Sequence, residues 1–138
     1  MSIKHMPARI GSLPELMAFI TDQAKKNGFS QKGINRVCLA AEEALVNVFN
    51  HAYPVDTGNV EVQVNAASGR ALVLKIRDTG TAFNPLSLPE PDLKADVTQR
   101  KVGGLGVFLI RRIADEAQYR KEKNGNTLTL KFSDCREA

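Results

Sequence analysis

Glu43 and Asn47 stand four residues apart in "CLAAEEALVNVFNHAYP", residues 38 to 54. At that spacing two side chains share one helix face. A carboxylate so placed can accept the proton of a hydroxyl. A carboxamide offers an oxygen to Mg²⁺, an ion that takes hard oxygen ligands and relies on few protein groups plus substrate phosphates. Asn50 falls on the same side. Ala40 and Val46 are interleaved there instead of the Lys and Glu of an ordinary wet face, so the face is half dry. Taken alone, Glu43 and Asn47 read more readily as a solvated polar stripe.

Two further clusters carry possible chemistry. In "IRDTGTAFNP", Asp78 ends a run of alternating hydrophobics and Gly80 follows at a turn. A carboxylate there can accept a hydrogen bond from an exocyclic amine, and glycine lets a flat ring approach the backbone. A plain Asp-x-Gly turn would look the same. In "KVGGLGVFLI", Gly103, Gly104, Leu105 and Gly106 lead into a helix, whose first amides lack partners and can hold an anion. A flexible hinge is the competing reading. The segment is neither a Walker A motif, lacking Gly-Lys-Ser/Thr, nor a dinucleotide fingerprint, since no strand precedes it.

The elements that must position these residues can be read from periodicity. "SLPELMAFITDQAKKNG" opens with Ser12 and Glu15 as a capping box and stops at Gly28. A second helix starts after Ser30, carries the stripe Ile34, Val37, Cys38, Ala41, Leu45, Val48 and Ala52, and is closed by Pro54. "NVEVQVNA" and "ALVLKIR" alternate strictly around Ser68-Gly69, an antiparallel hairpin. "LGVFLIRRIADE" reads as a third helix, and a strand around Gln118 to Glu122 joins "TLTLKF" through an Asn-Gly turn. The expected fold is α+β: a two-layer sandwich, a mostly antiparallel sheet with about three helices on one face. The irregular stretch between Asp78 and Gly104, with Pro85, Pro89 and Pro91, is too long for a compact domain to keep without a task.

Composition sets the outer limits. A chain of 138 residues suits one domain, residues 1–138. The net charge of +4 is scattered, and 6% aromatics give no stacking platform, which argues against direct nucleic-acid binding. Cys38 and Cys135 form no metal-ligating cluster. With no signal-peptide core and no apolar run near the length of a membrane span, a soluble cytoplasmic protein is expected.

The order of parts is more specific than any one of them. A helix with Glu-x-x-x-Asn, a hairpin ending in Asp-x-Gly, a long loop, Gly-x-Gly and a helix resemble the GHKL, or histidine-kinase-like, ATPase superfamily. Within it, the chain looks like the serine/threonine kinases that act as anti-sigma factors. "EEALVNVFNHAY" is similar to that family's N box, "DTGTAFNP" to its first glycine box and "GGLG" to its second. The likeness runs from the first helix to "NTLTLKF".

The resemblance implies a role for each matching residue. Glu43 would be the catalytic base toward a protein hydroxyl, and Asn47 would ligate Mg²⁺ between the phosphates of ATP. Asn50 would shape the phosphate pocket. Asp78 would take the adenine amino group, with Gly80 letting the purine sit close and Thr127 helping to hold it. Gly103, Gly104, Leu105 and Gly106 would present amides to phosphate. Residues 86–102 would form the ATP lid, where Arg100 or Lys101 either neutralises the γ-phosphate or is a solvated lid edge. His51 is read as a cap or packing residue. Ala82 stands where many relatives carry a second glycine, a departure at the nucleotide site that narrows the subgroup. No phosphoacceptor helix precedes the domain, so a self-phosphorylating sensor is not expected.

The implied function is an ATP-dependent kinase and anti-sigma factor of a partner-switching system. Its substrate would be a small anti-anti-sigma (STAS-type) protein, its second partner a sigma factor, and its own state a homodimer. The alternatives are a non-catalytic switch whose nucleotide state sets partner affinity, and a plain ATPase fragment.

Overall fold

The computed structural model describes residues 1–49, 58–67, 70–79, 110, 112–122 and 125–134. The elements are β1 (Ser2–Pro7), α1 (Leu13–Lys26), α2 (Gln31–Asn47), β2 (Asn59–Ala67), β3 (Ala71–Asp78), β4 (Glu116–Glu122) and β5 (Gly125–Ser133). The five strands form one antiparallel sheet in the order β1-β2-β3-β5-β4. Val60, Val62 and Val64 of β2, Leu72, Leu74 and Ile76 of β3, and Leu128, Leu130 and Phe132 of β5 are buried in one core with Leu16, Ile20, Val37, Ala41 and Leu45 of the helices. This is the expected α+β sandwich, an antiparallel sheet with helices on one face.

Local chemistry explains the junction of the two helices. At the end of α1, the amide of Phe29 donates to the Ala24 carbonyl (3.1 Å) and that of Gly28 to Lys25 (3.0 Å). Gly28 has a φ of 78°, the left-handed conformation that closes a Schellman motif. Ser30 then caps α2, its hydroxyl accepting from the Gly33 amide at 3.1 Å.

The start of α1 differs from the expected capping box. Residues Ile10–Ser12 form a 3₁₀ turn, Ser12 makes no side-chain cap, and its amide donates to the Arg9 carbonyl. Glu15 pairs with Lys4 of β1 instead (3.7 Å). The preceding turn has already satisfied the amide that the box would serve, so the carboxylate is left to a cross-element partner.

Other departures have tertiary causes. β1 shows too weak an alternation to be read from the chain, and its pairing with β2 defines it. Gln63 lies on the polar side of β2 yet is buried. The third helix is expected from the sequence to run through Glu116. Its described residues Ile110, Arg112 and Ile113 are helical, but Glu116 already belongs to β4. Arg36 of α2 donates to the Ile113 carbonyl at 2.7 Å and the Asp115 amide donates to Lys131 (2.8 Å), which together end the helix and start the strand. Pro54, Ala52, the Ser68-Gly69 turn and the start of the third helix lie outside the described residues.

Candidate functional site

Two carboxylate-bearing edges of the fold are positioned from one anchor. Asp134, just past β5, accepts from the Ser30 amide (2.8 Å) and hydroxyl (2.9 Å), and its own amide donates to the Arg70 carbonyl (3.0 Å). The starts of α2 and β3 are therefore tied together. Helix α2 has 17 residues, about 25 Å, and β3 has 8, about 26 Å. Each of the two equal lengths carries candidate residues at its far end: Glu43 and Asn47 on α2, Asp78 on β3.

Asn47 is the anomaly of the helix. Its side chain is only 2% exposed, and neither Oδ1 nor Nδ2 has a hydrogen-bond partner. Leaving a buried polar group unmatched costs about 1–3 kcal/mol, so such a group points to something it is built to meet. Val48 and Phe49 follow in a wider π turn, a departure from regular helix that often accompanies functional sites. One turn earlier, Glu43 is half-buried, and desolvation, with a smaller contribution from the neighbouring Glu42 charge, raises its carboxyl above the usual carboxylate range. The face noted in the sequence is thus drier than a solvated stripe.

A carboxamide with both ends unmatched could offer its oxygen to a cation and its NH₂ group to an anion such as phosphate. Among the described residues no cluster of three His, Cys, Asp or Glu could hold a metal by itself. A single carboxamide oxygen would suit an ion that takes most of its ligands from phosphate and water, as Mg²⁺ does.

At the other edge, Asp78 is 7% exposed and faces the core side of the sheet. Opposite it, Asn126 donates from Nδ2 to Asp78 Oδ1 at 2.9 Å. Gly125 passes so close that an added Cβ would lie 1.8 Å from the Asp78 carbonyl oxygen. A cavity of about 560 Å³ opens at this end of the sheet, where His5, Glu61, Arg77 and Thr127 of the face away from the helices line it together with Asp78 and Asn126. Glu43 and Asn47 are not among its lining residues.

Thr127 is placed differently from Asp78. It pairs with Arg77 and donates its hydroxyl to Glu122 (2.9 Å), so its side chain stands on the sheet face away from the helices. Asn126, the first residue of "NTLTLKF", shares the Asp78 face, although its sequence context points to no role for it. Extending the alternation of Leu128, Leu130 and Phe132 back by two residues is the signal that finds it. Asn50, His51, Gly80, Ala82, Arg100, Lys101, Gly103, Gly104, Leu105, Gly106 and the lid at 86–102 lie outside the described residues.

With this arrangement in view, comparison with known proteins is informative. Residues 6–132 match the family described as the histidine kinase-like ATPase domain, and the chain belongs to that family. Its relatives include the serine-protein kinase RsbW of Bacillus mycoides (strain KBAB4), 24% identical over 131 residues that cover 92% of this chain and 81% of that protein. The protein of the same name from Bacillus cereus (strain G9842) is 25% identical over the same span. Among solved structures, the RsbU and RsbW domains of Rv1364c from Mycobacterium tuberculosis superpose with a TM-score of 0.68 at 17% identity, covering all of this chain and 34% of that one. The histidine kinase domain of the blue-light activated kinase from Erythrobacter litoralis EL346 gives 0.55 at 16%, covering 88% of this chain and 61% of that one. These structural likenesses establish the fold.

Proposed function

We propose that this chain is an ATP-dependent serine/threonine protein kinase and anti-sigma factor of a partner-switching system. Its substrate would be a small cytoplasmic anti-anti-sigma protein of STAS type, and a sigma factor and a second copy of the chain its other partners. The observation that carries the reading is the buried, unmatched Asn47 one turn from the desolvated Glu43. The distant RsbW relatives support the class of reaction.

Phosphoryl transfer asks the protein mainly for position and charge neutralisation. A magnesium ion, when bound, would draw charge from the phosphates. Asn47 holds position on the phosphate side, and Asp78 accepts from the base at the other end. Glu43 takes the proton of the substrate hydroxyl, and a raised pKa makes it a stronger proton acceptor than an ordinary surface carboxylate while it stays ionised. The glycine segment 103–106 would supply phosphate-binding amides.

Incubating the protein with Mg-ATP and a purified STAS-type protein of the same organism should transfer the γ-phosphoryl group to a serine or threonine of that protein. Glu43→Gln should reduce transfer by at least about a hundredfold and leave ATP affinity within a few-fold. Full transfer by that variant would remove Glu43 as the base. Tight ATP binding without transfer to any partner, coupled to nucleotide-dependent partner affinity, would favour the non-catalytic switch.

A further inference from the structure

The face of the sheet turned away from α1 and α2 carries a trough of its own. Across it the register sets Lys75 of β3, Thr129 of β5 and Gln118 of β4 side by side, and likewise Arg77, Thr127 and Arg120. Residues opposite one another in a sheet share a face, so β5 lays a floor of short threonines while β3 and β4 raise longer walls. The walls stand two strand spacings apart, about 10 Å, comparable with the girth of one extended chain or one helix. Further along β5 the long side chain of Lys131, opposite Glu116 of β4, ends the threonine floor. A cavity of about 560 Å³ lies between the walls. It meets the cavity beside Asp78 at Arg77, Glu122 and Thr127, whereas Lys75, Gln118, Arg120 and Thr129 line the trough alone.

Charge decides what fits there. Three cations border the trough, Lys75, Arg77 and Arg120, against one carboxylate, that of Glu122. Glu122 accepts from the Thr127 hydroxyl (2.9 Å), and Arg77 lies 3.5 Å from Glu61 of β2. Among the described residues, Lys75 and Arg120 form no ion pair. Lys75 is half-buried, so its charge is screened less than on an open surface. We propose that this trough docks an acidic segment of a protein partner. Carboxylates of the segment meet Lys75 and Arg120, and its backbone exchanges hydrogen bonds with Gln118 and Thr129, side chains that can both donate and accept. No residue of β3, β4 or β5 that faces this side is aromatic, so bases find no stacking platform and nucleic acid fits less well. The trough lies across the sheet from Glu43 and Asn47, and the inference does not depend on the reaction assigned to them.

The test uses the full chain and a fluorescently labelled peptide of alternating glutamate and serine, with its glutamine-serine counterpart as control. Binding is read by fluorescence anisotropy at low ionic strength. The wild-type protein should bind the acidic peptide, release it as salt is raised, and leave the counterpart free. Lys75→Gln and Arg120→Gln should each weaken binding by about two- to fivefold, and the double variant by about tenfold. Lys25→Gln combined with Lys32→Gln removes the same charge from exposed positions on the helices and should leave affinity unchanged. An equal loss in that pair overturns the proposal, since attraction would then follow net charge alone. Absence of binding by the wild-type protein overturns it as well, as does a single-stranded oligonucleotide of equal charge that binds more tightly and is weakened by the same trough variants. A wild-type dimer that the double variant converts to monomer, read by analytical ultracentrifugation, would put a second copy in the trough and remove the acidic partner.

Discussion

Asn47 and Glu43 illustrate how a site can be set against the stability of its own fold. Asn47 places two polar atoms in a dry interior without partners. Replacing it with leucine, close in volume, removes that cost, so the nucleotide-free protein should melt about 2–6 °C higher. The same change should weaken magnesium-dependent ATP binding by tenfold or more. A lower melting temperature in Asn47→Leu would mean that the amide has partners in solution. Glu43 makes a parallel case through pH. Its carboxyl is shifted upward on folding, so the native state binds more protons than the unfolded chain between the two pKa values. The penalty for ionising it is absent below the unfolded value and fully present above the folded one. Glu43→Gln should accordingly be more stable than wild type at pH 7 to 8, with the gain vanishing near pH 4. A gain that grew toward acid would contradict the assigned direction.

Helix α2 shows where propensity and packing disagree. Gly33 lies in its first turn with helical backbone geometry, and alanine there would favour the isolated helix by up to about 1 kcal/mol. In the fold, a Cβ at this position meets Asp134 Oδ1 at 2.5 Å and the Phe29 ring at 3.1 Å. Asp134 cannot retreat without giving up its bonds to the Ser30 amide and hydroxyl. Gly33→Ala should therefore destabilise the protein, by about 1–3 kcal/mol in urea titration. Stabilisation would show that the anchor at Asp134 yields easily. The same carboxylate also lies at the positive end of the helix macrodipole, where an anion is favoured.

On the scale of the molecule, Arg36 joins the two layers. Its guanidinium donates to the Ile113 carbonyl at 2.7 Å and to the Ser133 carbonyl at 3.3 Å, and lies 3.9 Å from the Asp115 carboxylate. It thus fastens the helical residues that end at Ile113 to the helix that bears Glu43 and Asn47. Arg36→Met keeps the stem and deletes these bonds. It should cost about 1–2 kcal/mol, the low end for charged hydrogen bonds because the group is partly exposed. Amide exchange should accelerate at Ala114 and Asp115; unchanged protection there would show that the helix end is held by other means. Among the described residues no helix is long and apolar enough to cross a membrane.

Much of this architecture is legible along the chain. Ser30 and Gly28 mark the helix junction because caps are local chemistry, and the valines of β2 and leucines of β3 declare their strands because a two-residue period needs no distant partner. The sequence by itself determined the two-layer fold, and Glu43, Asn47, Asp78 and the glycine segment carry its likeness to the histidine kinase-like ATPase domain. Only the tertiary structure decided that β1 is a strand, that Glu15 turns to Lys4, that Asn47 is left unmatched, and that Asn126, not Thr127, shares a face with Asp78. Those outcomes depend on groups brought together across the fold, such as Ser30 and Asp134, 104 positions apart. Periodicity says which way a side chain points along its own element, but burial and hydrogen bonding depend on what arrives from elsewhere.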